Sequence, residues 1–139
     1  MSASLEELER LYRMRFPDFL RVATALSGSL ETGRGAVHEG FVRAVRSRGD
    51  FRGTGSLDGW VWKAVVSSAL SRRRRERRED EASHGADVLP GSNADVCLDV
   101  RAAVSALPER QRVVLFLRYY ADLDYPRAKC TIAGLSRAC

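Results

Sequence analysis

The chain has 139 residues, 45% hydrophobic and 29% charged, with a formal net charge of +5. That balance supports a buried core in one ordinary domain or two small ones, and excludes a large multidomain enzyme, a disordered chain and a fibrous one. The longest aliphatic and aromatic run covers residues 113–117, far short of the roughly 20 that span a bilayer, and the acidic start Met-Ser-Ala-Ser-Leu-Glu-Glu is unlike a signal peptide; no membrane insertion is expected, and a cytoplasmic location is.

In chain order, Ser4 and Glu7 form an S-x-x-E capping box, the signature of a helix start. Leu5, Leu8, Leu11 and Tyr12 then fall on one helical face. Phe16-Pro17 predicts a break or a kink, after which Phe19, Leu20, Ala23 and Leu26 make a second apolar set. Residues 27–35, rich in Gly and Ser, read as a loop. The next helix carries Ala36, Val37, Gly40, Phe41, Ala44 and Val45, and stops near Gly49-Asp50. Gly35 and Gly40, if both are helical, each cost about 1 kcal/mol against Ala.

Residues 51–56, Phe-Arg-Gly-Thr-Gly-Ser, read as irregular, because two glycines permit backbone shapes closed to other residues. Ser56 is a natural N-cap. The helix after it buries Leu57, Trp60, Val61, Ala64, Val65 and Ala69, then runs without a breaker into an arginine block. Residues 79–97 read as an acidic linker containing Pro90-Gly91-Ser92-Asn93. Beyond it, Val100, Ala103, Val104 and Leu107 form a short helix. Pro108 suits the first turn of another, lined by Val113, Val114, Phe116, Leu117 and Tyr120. There is no strand alternation and no internal repeat. The expected fold is all-α, in two small helical units at residues 1–78 and 98–139.

The charge is concentrated. Residues 72–78 hold six Arg and one Glu, a net +5 that equals the charge of the whole chain. Residues 79–99 hold six acidic residues and no Lys or Arg. A basic block of this density on a helix is a footprint of polyphosphate binding; a solvated charge run is the plain alternative. The three cysteines, Cys97, Cys130 and Cys139, are odd in number and lack C-x-x-C spacing. With only His38 and His84 beside them, neither a metal site nor a cofactor is expected.

No P-loop, no H-E-x-x-H and no convergent acid–base set is present, so the chain does not read as an enzyme. What stands out is a Gly-rich loop, a helix with two tryptophans and an arginine block at its end. Single-stranded nucleic acid is bound by stacking platforms beside basic grooves. Trp60 and Trp62 face roughly 200° apart on a helix. Trp60 shares the apolar stripe and is the expected core residue. Trp62, beside Lys63, is the expected base-stacking or partner-facing aromatic.

The segments LYRMRFPDFLRVA (11–23), AVHEGFVRAV (36–45), FRGTGSLDGWVWK (51–63) and ALPERQRVVLFLRYY (106–120) together resemble an extracytoplasmic-function (group 4) sigma factor of the sigma-70 family. The resemblance covers about residues 5–78 and 98–125. It implies a helical domain 2 that docks on the β′ clamp of bacterial core RNA polymerase and melts and reads the −10 promoter element. His38, Glu39 and Arg43 would then contact polymerase, although Glu39 and Arg43 by themselves read as an ordinary i, i+4 surface pair. Promoter DNA would meet Arg52, Gly53, Thr54, Ser56, Trp62, Lys63, Ser67 and the run Arg72, Arg73, Arg74, Arg75. An anti-sigma factor is a further candidate partner. The family usually has an acidic residue at the position of Gly35 and Gln at that of His38. It often has Asn where Ser67 stands and Asp where Ser71 stands.

Residues 126–139 are too few for a −35-reading helix-turn-helix, which needs about 20. Their composition reads like GC-rich DNA out of frame, so the expectation is a truncated or frame-shifted domain 4. Two other readings stay open: a truncated sigma-like module that binds polymerase or an anti-sigma factor without initiating transcription, and an unrelated helical nucleic-acid binder.

Overall fold

The computed structural model describes residues 2–53, 56–83, 103–104, 106–120 and 126. Among them there are four α-helices and no strand: α1 (Leu5–Ser27), α2 (Leu30–Arg46), α3 (Leu57–Ser83) and α4 (Glu109–Tyr120), with a 3-10 turn at Arg48–Asp50 between α2 and α3. The all-α expectation holds.

Helix α1 starts where its capping box predicts. The Ser4 hydroxyl accepts from the Glu7 N–H at 3.1 Å, and Glu7 accepts from the Ser4 N–H at 2.9 Å. Those bonds, the backbone one first, hold the Glu7 carboxyl below its ordinary pKa. Ser4→Ala is expected to lower stability by about 1 kcal/mol, read as a shift in the urea midpoint.

Pro17 neither breaks nor ends α1, which runs through it. Its exposed ring costs one backbone hydrogen bond, but Leu8 before it and Phe19, Val22, Ala23 and Leu26 after it are all buried in one core, which anchors both halves of the helix. The expected loop over residues 27–35 shrinks to two residues. Gly28 closes α1 in the left-handed region at φ 96°, and Ser29 caps α2 through its hydroxyl. Gly33 and Gly35 are therefore helical. A Cβ on Gly33 would lie 2.7 Å from the Thr24 backbone, so glycine at that position permits close approach of α1 and α2.

The contacts fix the directions of the helices. Tyr12 meets Phe41 and Thr24 meets Gly33, so α1 and α2 are antiparallel. Gly40 meets Val65 and Thr32 meets Glu76, so α2 and α3 are antiparallel too. Arg15 meets Asp58 and Phe19 meets Trp62, which makes α1 and α3 parallel. Helix α3 continues to Ser83, so residues 79–83, expected as linker, are helical. Helix α4 packs against α1, with Val113 and Leu117 in the same core as Leu8 and Phe19. The rest of the expected linker, Cys97, Cys130, Cys139 and nearly all of the tail after Tyr120 lie outside the described residues.

Candidate nucleic-acid interface

The expectation for Trp62 is overturned. Trp62 is 0% exposed and lies in the core, its ring 4.2 Å from that of Phe19. It cannot stack on a base. Trp60 is half-buried and packs at the core's edge, its ring 5.6 Å from that of Phe51. The reason is tertiary: α1 packs on α3 along Phe19 and α2 packs on it at Val65. That pairing widens the buried arc to Val61, Trp62, Val65, Val66, Ser68, Ala69 and Leu70.

The outward stripe of α3 is then Trp60, Lys63, Ser67, Ser71, Arg74 and Arg78, none of them buried. At 100° per residue these six fall within a narrow arc. An aromatic ring, cations and hydroxyls thus line one face. The loop leading into α3 stands at the head of that stripe. Gly53 holds a φ of 73°, a left-handed shape that glycine adopts without strain. Ser56 accepts from the Gly59 N–H at 3.0 Å and caps the helix. Arg52 is exposed, and Thr54 lies outside the described residues.

The arginine block is less open than its charge suggests. Arg72 Nε donates to Glu39 at 2.9 Å, and its guanidinium sits where a Cβ on Gly35 would be. Arg75 lies 4.0 Å from the same carboxylate. Arg43 reaches Glu39 at 3.3 Å, the i, i+4 pair that the sequence allows. Arg73 Nη1 donates to the Leu26 carbonyl at 3.2 Å. That bond sets a cation at the C-terminal end of α1, whose last turn has no basic residue of its own. Arg74 Nη2 donates to Glu109 of α4 at 3.0 Å. Glu76 accepts from the Thr32 hydroxyl at 2.7 Å near the start of α2, which suits an anion.

So Glu39, Arg43, Arg72 and Arg75 form one cluster bridging α2 and α3, while His38 stands exposed. Such partly exposed ion pairs are worth about 0.2–1 kcal/mol each, so they orient side chains more than they stabilise the fold. Sequence reasoning missed the Phe51–Trp60 pair and the Thr32–Glu76 bond. The signal for the first was present: Trp60 shares helical phase with Lys63 and Ser67.

The sigma-70 region 2 family matches residues 11–79, a span that takes in α2, the glycine loop and the whole α3 stripe. The chain belongs to the sigma-70 family. This sigma-family chain is 26% identical over 105 residues to the RNA polymerase sigma-H factor of Pseudomonas aeruginosa, covering 63% of the chain and 54% of that relative. It is 26% identical over 126 residues to the ECF RNA polymerase sigma factor SigM of Mycobacterium tuberculosis, covering 86% of the chain and 64% of that relative. It thus spans between about half and two thirds of the length of these curated relatives. No solved structure matches it significantly. Within the sigma region 2 span, no described helix is long and apolar enough to cross a membrane.

Proposed function

We propose that this protein is an extracytoplasmic-function sigma factor that binds core RNA polymerase and directs transcription initiation by melting and reading the −10 element. The observation that carries the reading is the α3 stripe. A half-buried Trp60 at its head and Lys63, Ser67 and Arg74 along it combine a stacking ring with phosphate-binding groups, the two parts that single-strand binding needs. Arg52, Gly53 and Ser56 lead into it. Thr54 belongs to the same loop by sequence. Glu39, Arg43 and His38 on α2 form the proposed polymerase-facing set. In this reading residues 1–83, to the end of α3, dock and read DNA, and residues 98–139 belong to a second helical unit. The protein acts in the cytoplasm, carries out no chemistry of its own, and could be held by an anti-sigma factor.

Co-elution with bacterial core polymerase on a sizing column tests the reading directly. Co-elution that Glu39→Ala and Arg43→Ala abolish supports it, provided both variants keep the wild-type melting curve. A folded wild-type chain that never co-elutes refutes it. On single-stranded DNA, Lys63→Ala is expected to reduce the slope of log K against log salt by about 0.7, the loss of one phosphate contact.

One observation favours the second reading, a module that binds polymerase without initiating. Arg72, Arg73, Arg74 and Arg75 all have partners within the chain. Transcription from an extended −10 promoter, with and without a separately supplied −35 domain, separates the two.

A further inference from the structure

Helix α4 reaches the same stripe. Glu109, Arg112, Val113, Phe116 and Leu117 fall on one side of α4. Val113 and Leu117 are buried with Leu8 and Phe19, Phe116 packs on the same core, and Glu109 accepts from Arg74. A carboxylate and a phosphate oxygen use the same guanidinium fork. Glu109 therefore occupies a cation that lies in line with Trp60, Lys63 and Ser67.

We infer that α4 is a self-inhibitory helix: docked on α1, it holds Glu109 on Arg74 in the position a DNA phosphate would take, so that α4 docking and single-strand binding exclude each other. This rests on the nucleic-acid reading of the α3 stripe. Because α4 belongs to the same chain, it docks at high effective concentration, and a weak contact suffices. The contact is built to be released. Burial of Val113 and Leu117 favours it. Against that, Arg112 is buried at 8% exposure, and its Nε finds no acceptor among the described residues, an uncompensated polar burial. A ligand that prefers the open state need overcome only the difference.

The test uses the full chain with Cys97, Cys130 and Cys139 replaced by Ser and a reporter thiol at L117C. Thiol labelling is expected to be about tenfold slower than in urea, since α4 must leave the core first. It is expected to accelerate when an oligothymidylate of about 20 nucleotides is added. Without the reporter, Glu109→Gln is expected to bind that oligonucleotide about threefold more tightly, and Arg112→Leu, which removes the buried polar cost, more weakly. Labelling at the rate found in urea would show that α4 is not docked and overturn the proposal. Slow labelling with unchanged affinity for Glu109→Gln would show a docked helix that does not compete, and overturn it as well. Slow labelling with no oligonucleotide binding by wild type or by Glu109→Gln would also overturn it, and would place the failure in the nucleic-acid reading rather than in the docking of α4.

Discussion

Trp62→Ala is expected to destabilise the helical body by about 3–5 kcal/mol, the cost of truncating a fully buried aromatic. Domains of this size have about 5–15 kcal/mol in total, so the loss is a large share of the stability. The indole is the largest fully buried side chain and lies against Phe19, which in turn meets Phe41 edge-on at 5.1 Å. Removing it opens a cavity at the junction of all three N-terminal helices. Trp62→Phe should cost less than half as much, because it also deletes an indole N–H that has no acceptor among the described residues. Trp60→Ala should behave in the opposite way. Its stability loss is expected to be less than half that of Trp62→Ala. Its single-strand affinity should fall roughly tenfold or more, since stacking one base is worth about 1–3 kcal/mol. Chemical denaturation and fluorescence anisotropy on the same two variants check both. A core role for Trp60 and a binding role for Trp62 would appear as the reverse pattern.

The second large effect is at Gly40. Helix propensity alone says Gly40→Ala should stabilise α2 by about 1 kcal/mol. The packing says otherwise. A Cβ on Gly40 would lie 2.7 Å from the Val65 Cα and 2.9 Å from its N, and backbone of a packed helix cannot yield locally. Forcing α2 and α3 apart costs about 1–3 kcal/mol or more, so Gly40→Ala is expected to be a net loss. Gly35→Ala is the matched control. Its Cβ would meet the Arg72 guanidinium at 2.7 Å, the far end of a flexible side chain. Arg72 can move, at the expense of an ion pair worth under about 1 kcal/mol. Gly35→Ala should therefore be neutral or stabilising. Urea midpoints for the two alanine variants decide it; equal shifts would refute the close α2–α3 contact.

The contrast also shows where the glycine expectation failed. From sequence, Gly33 and Gly35 look like loop, and Gly35 and Gly40, if helical, look like helix defects. In the fold, Gly33 and Gly40 mark where α2 meets backbone of α1 and of α3. No local pattern reports a neighbour's backbone. Propensity counted a cost where packing required the absence of a side chain. Pro17 is the same lesson in reverse, because its local penalty is outweighed by buried residues on both sides.

Sequence alone determined the helical class, the start of α1 at its Ser4 box, the cap at Ser56 and the sigma-70 membership. These rest on period, on bonds within one turn and on the order of segments, all local along the chain. It also determined that the positive charge gathers at residues 72–78, in the second half of α3. Only the tertiary structure decided which tryptophan is core, because a helix packed by α1 and α2 together buries a wider arc than one apolar stripe implies. It likewise decided that Arg72, Arg73 and Arg74 face Glu39, the Leu26 carbonyl and Glu109. Those partners lie 33 to 47 residues away in sequence. Which cation meets which anion across such a span follows from helix direction and register, set by the close approaches at Gly33 and Gly40.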